Sequence, residues 1–116
     1  MISWSFTAAI CYASTLKDLN RYDEAKSLLC KYIPVARRVL GESHELTFTV
    51  RRNYAMTLWQ DDGATLDDLH AAVTTLEETE RTARRVLGGA HPLTEGIEDE
   101  LRDARVALRA RAPPHS

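Results

Sequence analysis

Apolar and small residues recur along the chain at steps of three and four, with charged residues between them. Phe6, Ala9, Ile10, Ala13, Leu16 and Leu19 form the first such stripe, and its period is that of an amphipathic helix. A second stripe reads Tyr22, Ala25, Leu28, Leu29, Tyr32, Ala36, Val39 and Leu40, and stops at Gly41. Asp23 and Glu24 fall in its first turn and Arg37 and Arg38 in its last turns, which suits the helix dipole. A third helix is predicted from about Glu45 to Trp59 or Gln60, with Leu46, Val50, Tyr54, Met56 and Leu58 as its apolar groups. A fourth carries Leu66, Leu69, Val73, Leu76, Ala83 and Leu87 and ends at Gly88-Gly89. A fifth opens at Pro92, where proline is tolerated, and carries Ile97, Leu101, Ala104 and Leu108. No stretch is a strand candidate, so the fold class is all-α with about five helices.

The boundaries carry their own chemistry. Asn20 is a plausible C′ residue because asparagine tolerates the left-handed conformation. Thr65 with Asp68 resembles a capping box, with Asp in place of the usual Glu. Pro34 lies inside the second helix, where it removes a backbone hydrogen bond and crowds the Cys30 carbonyl, at roughly 3 kcal/mol in an ordinary helix interior. The expectation is a kink, or two helical pieces meeting near Ile33. Pro113-Pro114 cannot continue the last helix, so residues 111–116 read as a disordered tail.

The chain also repeats itself. "ARRVLGESHELT" begins at Ala36 and "ARRVLGGAHPLT" at Ala83, 47 residues on, and nine of the twelve positions agree. "YASTL" from Tyr12 matches "YAMTL" from Tyr54 at an offset of 42. The two offsets differ by five, so the second unit has an insertion, which falls in "DDGATLDDL" (61–69). Such an insertion is expected to disturb no packed face. A duplicated helical pair is the mark of a stacking unit, because each copy buries its apolar face on the next. Repeat one then covers about residues 3–42, repeat two about 44–89, and an extra helix about 92–110, within an array of 1–110.

A helical pair ending "RRVLG", followed two residues later by His and shortly after by Thr, is similar to the kinesin-light-chain type of tetratricopeptide repeat. "RYDEAKSLL" matches the start of that repeat's second helix, and "RRNYAMTL" resembles the Asn-Asn-Leu-Ala stretch of its first helix. The resemblance spans roughly Phe6 to Leu108. Asn20 stands where the family prefers Gly, Arg52 where it often has the first Asn, and Tyr54 replaces Leu. The resemblance implies an α-α superhelix, and a protein-interaction role in which the inner face takes an extended peptide. Carried over, Asn53 would bond the peptide backbone, with Arg52, Met56 and Trp59 on the same side. The equivalent positions in repeat one are Ile10, Cys11 and Ser14, and in the fifth helix Asp99, Glu100 and Asp103.

The side-chain chemistry of these positions fits that role. An asparagine offers donor and acceptor to an amide backbone, Arg52 suits an acidic group, and Met56 and Trp59 suit an apolar anchor. The bland alternative makes Met56 and Trp59 core residues at helical spacing and Asn53 a solvated one. His44 and His91 fall at the start of the next helix and read as caps or turn packing rather than as metal ligands or bases.

Composition narrows the rest. The chain has 116 residues, a formal net charge of −2 and 44% hydrophobic residues. That suits a packed domain and gives no reason to expect nucleic acid as the partner. No nucleophile elbow, phosphate loop, HExxH or dinucleotide fingerprint is present, so no enzyme and no cofactor are expected. Asp61-Asp62, Asp67-Asp68 and Glu77-Glu78 are sequence neighbours that point apart on a helix or lie in a turn. Cys11 and Cys30 are expected to be reduced core or groove residues, with no disulfide and no metal. The apolar start lacks a basic leader region and no run reaches membrane-span length, so a cytoplasmic location and no membrane contact are expected. Arg102, Arg105, Arg109 and Arg111 give the last helix a basic end, which can touch acidic partners or simply suit a helix C-terminus. Ile97, Leu101 and Leu108 are expected to make the chain self-associate as a homodimer through its C-terminal helix. The rival to a peptide-binding role is a purely structural one, in which the segment packs on further repeats or on itself.

Overall fold

The computed structural model describes residues 6–111. They form five helices: α1 (Phe6–Asp18), α2 (Tyr22–Val39), α3 (Glu45–Trp59), α4 (Leu66–Leu87) and α5 (Pro92–Arg111). No strand occurs among the described residues. Of the expected boundaries, the start of repeat one at residue 3 and the tail from residue 112 lie outside them, and Arg111 is the last residue of α5 rather than the first of the tail. Each helix packs on the next in sequence. In addition α1 packs on α3 and α3 on α5, whereas the backbones of α2 and α4 stay more than 8 Å apart between Cα atoms.

The turns follow from their residues. Asn20 has φ 62°. Its N–H donates to the Lys17 carbonyl at 2.9 Å, and the Arg21 N–H donates to the Leu16 carbonyl at 2.8 Å. These two bonds close α1 as a Schellman motif. Gly41 and Gly88 have φ 94° and 92°, conformations that would strain any residue with a Cβ. His44 and His91 do the same work one repeat apart. Each accepts a backbone N–H at its Nδ1, from Leu46 and from Leu93, both at 3.1 Å. The imidazole therefore satisfies one of the orphan donors at the start of α3 and of α5.

The insertion behaves differently from a loose tip. Aligned by the downstream offset, the start of α2 corresponds to Leu69, so Leu66–Asp68 are an added first turn of α4. Thr65 Oγ1 accepts from the Asp68 N–H at 3.1 Å and Asp68 Oδ2 from the Thr65 N–H at 3.0 Å, which completes the capping box. Ala64 beside it is buried at 1% exposure. The expectation that this segment touches no packed face is thus corrected.

Two apolar clusters hold the helices. Ala13, Leu16, Ala25, Leu29 and Val50 join α1 and α2 to one side of α3. Phe48, Ala55, Leu58, Ala72, Val73, Leu76, Ala83, Ile97, Leu101 and Ala104 join the other side of α3 to α4 and α5. The repeat offsets recur in the packing: Ala13 and Ala55, Leu16 and Leu58, Ala25 and Ala72, Leu29 and Leu76, and Ala36 and Ala83 are all buried. Between the clusters runs an unexpected polar contact. Arg51, at 7% exposure, reaches Glu78 of α4 at 3.4 Å. Burial lowers its pKa first, Arg37 adds to that, and Glu42 and Glu78 oppose it.

Several expectations are corrected here. Leu19 and Val39 are about three-fifths exposed, and Leu66 is exposed too. α2 runs through Pro34 as one helix rather than two pieces; Pro34 and Cys30 are both exposed, so the carbonyl that loses its partner lies on the watery side. Both cysteines are free and exposed, and neither is in the core. Ile97 and Leu101 face inward at 0% and 7% exposure and Leu108 is half-buried, so they are not an open dimer contact.

The duplicated linker contains one asymmetry with a measurable consequence. Thr47 Oγ1 donates to the Gly41 carbonyl at 2.8 Å. Thr94, its repeat equivalent, is equally buried, yet its hydroxyl has no partner. Thr47→Val is expected to lower stability by about 0.5–1.5 kcal/mol, through the lost bond alone, since the Gly41 carbonyl still accepts from the His44 N–H at 3.4 Å. Thr94→Val should be neutral or stabilising, because it removes a hydroxyl that is already unsatisfied. Urea unfolding of both variants checks this; equal losses would contradict it.

Candidate functional site

The face implied by the resemblance lies on the first helix of each pair and on α5. It divides into two places. At one, Trp59 donates its Nε1–H to Glu100 Oε1 of α5 at 3.2 Å, and Arg52 approaches the other Glu100 oxygen at 3.8 Å. The Glu100 side chain is only 13% exposed and that of Arg52 is 30% exposed. The guanidinium lies over Gly96, where a Cβ would come within 3.1–3.3 Å of it. A side chain at that position of α5 would crowd the guanidinium, which would have to give by a few tenths of an ångström. The Arg52 Nε is buried without a partner.

At the other place, Ser14 and Lys17 of α1 meet Asn53 and Thr57 of α3 in a crevice with no room for a water-sized sphere. Asn53 is half-buried. Among the described residues its amide makes no hydrogen bond, whereas the neighbouring Thr57 hydroxyl donates to the Tyr54 carbonyl at 2.6 Å. The starts of α3 and α5 lie side by side, since His91 Nε2 is 3.6 Å from Glu45 of α3.

Arg52 and Trp59 are therefore brought together through Glu100, and Asn53 is brought to Ser14. Met56 is half-buried on α3. Cys11 is exposed on α1 and lines neither place. Arg52 does not stand free for an acidic ligand; it already faces the chain's own Glu100. Glu100, placed at the position equivalent to Asn53, acts as an internal partner.

No family model matches the chain, and neither a curated protein nor a solved structure is significantly similar to it. The chemistry has to be read from the residues themselves. Among those described, no group of three or more His, Cys, Asp or Glu residues is placed to hold a metal ion. No described helix is long and apolar enough to cross a membrane. A recess between α2, α3 and α4 is lined by Lys26, Lys31, Cys30, Tyr54 and Asp68. Burial pushes the Tyr54 phenol up, with Cys30 and Asp68 adding to the shift.

Sequence reasoning missed Gly96, Lys17, Thr57 and Arg51. Gly96 gave no signal, because the arginine that lies against it comes from another helix. Arg51 did give one: it stands three residues after Phe48 and four before Ala55, on one helical face.

The Glu100 contact has a graded test. Glu100→Ala leaves a half-buried guanidinium and an indole N–H unpaired, and is expected to cost about 1–3 kcal/mol. Glu100→Gln keeps an acceptor for Trp59 and loses the ion pair, which at this exposure is worth about 0–1 kcal/mol. Denaturant midpoints at unchanged slope should rank parent, Gln, Ala in that order. An Ala variant as stable as the parent would show that Glu100 does not hold α3 to α5.

Proposed function

We propose that the chain is a protein-interaction module: a short superhelical array of tetratricopeptide-like pairs, whose inner face of α1, α3 and α5 takes an extended peptide from a partner protein. The contact pattern supports the curvature. The backbones of the first helices approach one another more closely than those of α2 and α4, as in pairs that close on the α1–α3–α5 side.

The observation that carries the reading is Asn53. It sits on the closed side, half-buried and beside Ser14, and its amide has no hydrogen bond among the described residues. Half-buried amides usually find a partner within the protein or from outside it. A peptide backbone offers both a donor and an acceptor to such an amide. On this reading the chain acts without catalysis or a cofactor, and its free, exposed cysteines suit a reducing compartment such as the cytoplasm.

One observation favours the structural alternative at the far end of the same face. Arg52 and Trp59 are engaged by Glu100, so there the strip fastens α5 to α3 rather than meeting a ligand. The peptide reading accordingly rests on the α1–α3 half.

Peptides captured by the purified chain supply the probe. Asn53→Ala is expected to weaken their binding by about 1–2 kcal/mol, roughly five- to thirtyfold. Its fold stability should stay within about 0.5 kcal/mol of the parent. Unchanged affinity with the fold intact removes this assignment.

A further inference from the structure

The repeat register compares α3 and α5 position by position. One face of each looks back to the preceding pair, and there the residues agree in kind: Thr47 and Thr94, Val50 and Ile97, Thr57 and Ala104 are all buried. The other face of α3 seats α4 through Phe48, Ala55 and Leu58, with Arg51 paired to Glu78. The corresponding residues of α5 are Glu95, Arg102 and Arg105, with Glu98 in the place of Arg51. The helix seat is repeated in shape, but its chemistry has changed from apolar to charged.

That seat borders an open groove of about 840 Å³ between α4 and α5. Val73, Leu101 and Leu108 give it an apolar floor. Four arginines line it, Arg84, Arg102, Arg105 and Arg109, against two glutamates, Glu80 and Glu98. Arg84 is held by both glutamates and Arg105 by Glu77 at 2.8 Å. Arg102 pairs only with Asp99 on its own helix, and both side chains are about two-thirds exposed. Arg109 has no ion pair among the described residues. With Glu77 and Asp99 counted, the four arginines meet four carboxylates, and the cations left for a partner are Arg109 and Arg102, whose one contact is an exposed ion pair.

We propose that the α4–α5 groove docks an amphipathic helix of a partner protein, one that carries carboxylates on either side of its apolar stripe. The apolar stripe rests on half-buried Leu108 and on the edges of Val73 and Leu101 that line the groove, and the carboxylates meet Arg102 and Arg109. A helix presenting only apolar residues there would leave those arginines desolvated and unpaired, which is unfavourable. An acidic helix turns the same arginines into charge-assisted contacts. This surface is separate from the peptide face and does not depend on it.

The test uses the full chain and three labelled 18-residue peptides read by fluorescence anisotropy. One is a Leu/Glu amphipathic helix, one the same helix with Lys for Glu, and one a scramble of the Leu/Glu peptide without helical periodicity. The Leu/Glu helix should bind at least tenfold more tightly than either of the others, and more weakly as salt is raised. The double variant Arg102→Glu, Arg109→Glu should lose that binding at least tenfold and prefer the Lys helix. Circular dichroism verifies its fold; if it unfolds, Arg102→Gln, Arg109→Gln takes its place, and several-fold weaker binding is expected. Asn53→Ala should leave this binding unchanged. Equal binding of the scramble, or no effect of the arginine variants, overturns the proposal. So does a dimer seen by light scattering that the arginine variants dissociate, since a second copy would then own the groove.

Discussion

α3 has to be apolar on two sides at once. Helices of this length gain most of their stability from packing, and a single helical pair leaves one flank of its apolar surface in water. α3 resolves this for the whole chain. Val50 closes the cluster with α1 and α2, while Phe48, Ala55 and Leu58 close the cluster with α4 and α5. Phe48 is fully buried, and replacing such a side chain with alanine costs about 3–5 kcal/mol. A polar group that intrudes on this wall must be paired, and Arg51 is, with Glu78.

With two flanks committed to packing, only a narrow strip of α3 remains for anything else. Arg52, Asn53, Met56 and Trp59 are on it, and all four are half-buried. α5 uses part of the strip to hold itself in place, through Glu100 and the gap left by Gly96. The remaining part, Asn53 with Ser14, carries the proposed peptide contact. The second flank of α5 bears Glu95, Arg102 and Arg105 where α3 bears Phe48, Ala55 and Leu58.

The sequence showed most of the helices because their signals are local. Asn20, Gly41 and Gly88 are turn residues by backbone sterics, and the Thr65–Asp68 box and the histidine caps act within three residues of themselves. The repeat offsets located the insertion and Thr65–Asp68 showed its capped turn, but not that Ala64 beside it is buried. Burial was less legible wherever a neighbour decides it. Val39 and Leu19 fit an apolar period and face water, whereas Ile97 and Leu101, expected to lie open, are covered by the preceding helices. The candidate site was legible as residue types at positions. The engagement of Arg52 with Glu100 was not, because it is made between two helices far apart in sequence.

The shared wall is tested most directly by native-state amide hydrogen exchange. If α3 holds both clusters, amides across its middle, from Phe48 to Leu58, exchange only through global unfolding. Their opening free energy then equals the stability measured with denaturant, and neither the α1–α2 side nor the α4–α5 side retains protection once α3 has opened. Persistent protection in α4 and α5 at a denaturant concentration where α3 already exchanges freely would contradict this, and would make the second cluster a unit that folds without its wall.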